Sequence, residues 1–113
     1  MAKTGPSLSI NLSAIVYCED STWIAHCLEL DIVAEGHDAD DAVTSLVSLC
    51  DLQIRTAMEH GDLGSIFRPA PPEIWAMFAG GTGITTKKMK RFRRSDRFKA
   101  PVDRFEARQM AMA

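Results

Sequence analysis

The chain has 113 residues, 46% of them hydrophobic and 25% charged, the balance of one globular domain of ordinary length, about 100–200 residues. No run of about 18 uncharged apolar residues occurs, which excludes a helical membrane span, and the opening Met1–Pro6 lacks the continuous apolar core of a signal peptide, so the expected location is cytoplasmic. Net charge is −2, but residues 1–63 hold two bases against eleven acids while residues 64–113 hold eleven bases against four acids, a split that speaks to partners rather than fold.

From Leu8 to Tyr17 the chain begins with Leu8, Ile10, Leu12 and Ala14 on one face and Ser9, Asn11 and Ser13 on the other. That alternation predicts a half-buried strand, and the apolar Ile15, Val16 and Tyr17 beyond it predict cover on both sides. Glu19–Thr22 is a polar turn of hairpin length. Trp23–Leu28 returns as a second strand, and Ile32–Gly36 is a short third strand ended by glycine. In that hairpin Cys18 faces Trp23 and Cys27 faces about Ala14, too far apart for a disulfide. With Cys50 the cysteines are odd in number and lack C-x₂-C spacing, so neither a disulfide framework nor a zinc site is expected. They read as small buried hydrophobes.

The next element is a helix. Asp38 is a good N-cap, Asp41 stands three residues on, and Asp40 and Asp41 suit the positive end of the helix dipole. Apolar residues recur at Ala39, Ala42, Val43, Leu46, Val47, Leu49, Cys50, Ile54, Ala57 and Met58, near the helical period. Gly61 follows His60 where a left-handed residue is wanted. Beyond Arg68 the prolines 69, 71 and 72 read as an extended connector, with a short helical turn near Pro72 and a flexible joint at Gly80–Gly83. Lys87–Arg94 is densely basic, and Val102–Ala113 reads equally as a last strand or a short helix. The expected organisation is a strand–strand–strand–helix unit over 8–66, a connector over 67–83 and a basic tail over 84–113.

Catalytic chemistry finds little footing. Asp20, Glu29, Asp31, Glu35, Asp38, Asp40 and Asp41 could supply a metal nuclease, but the turn and the helix cap account for several of them, and no acid falls mid-way along the first strand. His26, His37 and His60 show no ligand spacing, and Gly80–Gly83 followed by Thr85–Lys88 fails the phosphate-loop pattern. No catalytic residue, metal or cofactor is therefore expected. The competing reading is nucleic-acid binding through Lys87, Lys88, Lys90, Arg91, Arg93 and Arg94, with Phe92 and Phe98 for stacking; packing of this segment on the acidic half of its own or a neighbouring chain, and a plain solvated tail, are the alternatives.

The segment Ile15–Leu46, above all Trp23–Gly36 and the helix start, resembles the HicB family of antitoxins and its stand-alone HicB-like relatives. The carrying residues are Glu19-Asp20, Trp23, Gly36, Asp38 and Ala42, and the likeness spans about half the chain, residues 10–62. It implies an α+β fold, degenerate ribonuclease-H-like, with a three-stranded antiparallel sheet, room for a fourth C-terminal strand, and one main helix. It implies a non-enzymatic protein, dimeric or tetrameric, that masks a small basic HicA-like ribonuclease. Glu19, Asp20, Asp31 and Glu35 are the expected contact acids, and the acidic first half suits a basic partner independently of the likeness. Cys27–Asp31 stands where many relatives carry a Pro-x-x-Pro-Gly-Cys-like stretch, and no DNA-binding helix-turn-helix or ribbon-helix-helix pattern follows Pro72. An orphan oligomerisation module is the remaining alternative.

Overall fold

The structure, a computed structural model, describes residues 10–83 and 98–110. Its elements in chain order are β1 (Ile10–Glu19), β2 (Thr22–Cys27), β3 (Ile32–Gly36), α1 (Ala39–Glu59), a short 3-10 turn (Leu63–Ile66), α2 (Pro72–Ala79), β4 (Thr82–Gly83) and β5 (Val102–Gln109). The fold is α+β. The sheet runs β3-β2-β1-β5, with the two-residue β4 on the outer edge of β5. β1, β2 and β3 form an antiparallel meander, whereas β5 lies parallel to β1.

The hairpin register follows from a two-residue loop. Asp20 and Ser21 both take positive φ, 52° and 67°, the pair of conformations a tight twisted hairpin requires. This aligns Cys18 with Trp23 and Ala14 with Cys27, as the alternation predicts, and all three cysteines are free thiols.

One sheet face forms the core with α1. Ile10, Leu12, Ala14 and Val16 of β1 pack with Ala25, Cys27 and Ala34, and against Ala42, Val43, Leu46, Val47, Cys50 and Ile54 of the helix. Among these, the Cys50 thiol is raised well above its ordinary range by contact with the Cys27 thiol and by burial, which keeps it neutral and inert. Of the predicted stripe, Leu49 and Met58 instead stay exposed. The helix starts as its sequence directs: Asp41 donates its N–H to Asp38 Oδ1 at 2.7 Å, and Asp41 Oδ2 accepts from the His37 N–H at 2.8 Å. It ends with Gly61 at φ +65°, the Gly61 N–H donating to Met58 O and the Asp62 N–H to Ala57 O, a Schellman arrangement. His60 Nδ1 donates to Thr56 O at 2.9 Å.

Of the two readings left open for the end of the chain, the structure takes the last strand, the fourth C-terminal strand for which the expected fold left room. Val102–Gln109 is a strand, and Val102, Phe105 and Ala107 belong to the same core as the strand–helix unit. The boundary expected at residue 84 therefore does not separate two bodies. Gly80–Gly83, expected as a flexible joint, supplies β4 instead, with Thr82 opposite Gln109 and Gly83 opposite Arg108.

Candidate functional site

The second face of the sheet carries the odd positions of β1. Register places Ile15, Tyr17 and Glu19 beside His26, Ile24 and Thr22 of β2, and these beside Val33 and Glu35 of β3. Part of this face is covered. α2 reaches it at its C-terminal end, where the Arg108 guanidinium lies 4.2 Å over the Phe78 ring and donates to Phe78 O at 3.1 Å. A Cβ at Gly81 would meet Ile15 Cδ1 at 3.2 Å, and Ile15 is fully buried. The predicted two-sided cover of β1 is thus present.

The rest of the face stays open. Tyr17 and Ile24 are half-buried, Val33 is 47% exposed, and Glu19 and Glu35 are exposed beside them. Burial, reinforced by the Glu19 carboxylate, pushes the Tyr17 hydroxyl above its ordinary value.

The four acids singled out by sequence divide by position. Glu19 and Glu35 share this face, one on β1 and one on β3. Asp20 stands at the hairpin tip. Asp31 lies at the opposite end of β2, in the β2–β3 turn with φ +54°, and its Oδ1 accepts from His26 Nε2 at 2.6 Å. That bond anchors the turn and covers a histidine only 8% exposed. Glu29 is likewise occupied, its Oε1 accepting the Ser13 N–H at 2.7 Å where β2 has ended. Lys87, Lys88, Lys90, Arg91, Arg93 and Arg94 lie outside the described residues.

Sequence reasoning missed Asp51. Its Oδ1 accepts the N–H groups of Lys99 and Ala100 at 2.8 and 2.9 Å, and its Oδ2 accepts Arg55 Nε at 2.8 Å. Burial alone would raise this carboxyl, but the bonds from Ala100, Arg55 and Lys99 outweigh it and hold the group below its usual range. The signal was present: an acid inside the helical apolar stripe, with a base four residues on.

Among the described residues no three His, Cys, Asp or Glu side chains converge as metal ligands. Nor is any described helix long and apolar enough to cross a membrane. A groove of about 410 Å³ lies between the β2–β3 turn and the 3-10 turn, with Asp31, Gln53, Ser65 and Arg68 in its walls. Compared with known proteins, the chain matches no family model, no curated protein and no solved structure.

Proposed function

We propose that this protein is a non-enzymatic, HicB-like binding protein that masks a small basic ribonuclease in the cytoplasm. The observation that carries the reading is the open half of the second sheet face, where Tyr17, Ile24 and Val33 lie beside Glu19 and Glu35. A basic partner would gain apolar burial from the centre and charge complementarity from the rim. The antiparallel meander, the helix on its core face and a further C-terminal strand beside β1 support this reading, since the family likeness implies three antiparallel strands, one main helix and room for a fourth strand. Asp20 at the hairpin tip extends the negative rim, and Asp31 contributes its charge from the far end.

The test is a titration of the protein into an RNA-cleavage assay of a small basic ribonuclease encoded beside it. Inhibition is expected at equimolar ratio. The Glu19→Lys, Glu35→Lys double variant should weaken inhibition by about tenfold or more, from the loss of attraction and the new like-charge contact. Cleavage that continues unchanged at excess protein removes the reading.

A further inference from the structure

β3 stands at one end of the sheet order, so one of its edges has no strand beside it among the described residues. The hairpin decides which backbone groups that edge presents. With Asp20 and Ser21 as a two-residue loop, Glu19 and Thr22 are its closing hydrogen-bonded pair, and along antiparallel strands successive residues bond to opposite sides. Thr22, Ile24 and His26 therefore bond toward β1, and the same phase continues where the Leu28 N–H donates to Ser13 O at 2.9 Å. Trp23, Ala25 and Cys27 bond toward Gly36, Ala34 and Ile32 of β3. The N–H and C=O groups of Val33 and Glu35 are left pointing outward, and no bond among the described residues uses them.

Nothing along Ile32–Gly36 blunts this edge: it has no proline, no lysine and no register shift, the usual devices against strand addition. Apolar side chains flank it on both faces. Val33 is 47% exposed on the second face, and Leu49 of α1 is 44% exposed. Leu49 precedes Gln53 by four residues and shares its flank of the helix, and Gln53 lines the groove beside Ile32. Since Gly36 meets α1 at Ala42, Leu49 falls between these two levels, beside the middle of β3 on the core face. Outward amide and carbonyl groups with apolar cover on both faces fit one kind of occupant, an extended chain. Glu35, exposed on the edge itself, sets the sign of its charge. A second copy of β3 would bring the same acid and the same acidic half to the contact, whereas a basic strand is attracted.

We propose that the outer edge of β3 takes up a short strand of another protein, paired antiparallel, with a lysine or arginine beside Glu35 and an apolar side chain against Leu49. This deepens the masking reading, on which it rests for the identity of the partner, by naming how a basic protein is held at the Val33–Glu35 side of the open face. Strand uptake itself is tested without a ribonuclease, so the two ideas can fail separately.

The probe is an acetylated, amidated heptapeptide alternating threonine and valine, with lysine in place of the second threonine, titrated into the nitrogen-15-labelled full chain. Amide exchange at Val33 and Glu35 should slow by about tenfold or more at saturation, while Ala34, already bonded to β2, changes little. Val33→Pro removes an outward N–H but none of the β2 ladder, and should weaken binding by about tenfold. Glu35→Gln should weaken it by roughly threefold at low salt and by less at high salt. In antiparallel pairing the lysine and threonine amides face β3 and the valine amides face away. Methylating the first set of nitrogens should abolish binding, and methylating the second should spare it. Circular dichroism checks the variants; if Val33→Pro disturbs the fold, the two methylated peptides decide. Unchanged exchange at Val33 and Glu35, equal binding of the two methylated peptides, or protection that grows with protein concentration alone overturns the proposal, the last by making a second copy the occupant.

Discussion

Asp51 holds the most consequential single set of polar contacts in the described structure. The residue is only 6% exposed, yet its carboxylate accepts two backbone N–H groups from Lys99 and Ala100 and one side-chain bond from Arg55. Those bonds fix the chain just before β5. Removing the charge leaves buried donors with a weaker acceptor, so Asp51→Asn should cost about 2 kcal/mol at neutral pH. The pH dependence has a definite sign. Because folding lowers this carboxyl, its contribution is fully present above the unfolded value near ~3.9 and is lost as pH falls through the folded value. Urea unfolding of both proteins should therefore show a gap at pH ~7 that narrows below pH ~4. A gap of equal size at both ends would mean that the carboxylate charge is not what holds residues 99 and 100.

At the scale of elements, the meeting of β3 with α1 is set by Gly36. A Cβ there would run into the backbone of Asp41 and Ala42, and Ala42 is itself fully buried. The strand end and the helix start approach so closely that neither position has room for a larger residue. Gly36→Ala should destabilise by about 3 kcal/mol or more, since backbone cannot move aside as a flexible side chain does. Thermal unfolding measures this directly, and a melting temperature within a degree of the parent would refute the close approach. These elements were legible because local pattern decides them: alternation gave the hairpin register, and Asp38 and Gly61 gave the ends of α1. Leu49 and Met58 were not, because periodicity marks a stripe's centre better than its margins. For the candidate acids, charge singled out Glu19 and Glu35, and the register that puts them on one sheet face follows from the hairpin pattern, while the bond that occupies Asp31 comes from His26, which sequence alone does not place beside it.

For the whole molecule, the contrast between acidic and basic halves does not correspond to two bodies. β5 comes from the basic half and lies beside β1, with Phe105 only 4% exposed and tilted against the Phe98 ring at 5.8 Å. Its inward residues Val102, Phe105 and Ala107 are spaced three and then two, because the register shifts at Ile10/Asn11 and leaves Asp103 as the extra residue. That interruption makes the segment read as helix as readily as strand, and parallel pairing with β1 carries no local signal. The consequence is a sharp difference between two deletions. A chain ending at Gly83 loses Val102, Phe105 and Ala107 from the core, and burying Phe105 alone is worth about 2–3 kcal/mol against a typical total of about 5–15 kcal/mol. It should lose cooperative unfolding. Replacing residues 84–97 with a Gly/Ser linker of equal length removes Lys87, Lys88, Lys90, Arg91, Arg93 and Arg94 but leaves β5 in the chain, and should retain one sharp transition. Denaturation followed by far-ultraviolet circular dichroism and by Trp23 fluorescence, with Trp75 replaced by Phe to isolate that signal, should give coincident curves for the linker variant. If the chain ending at Gly83 melted like the parent, β5 would be an appendage and the core would close without it.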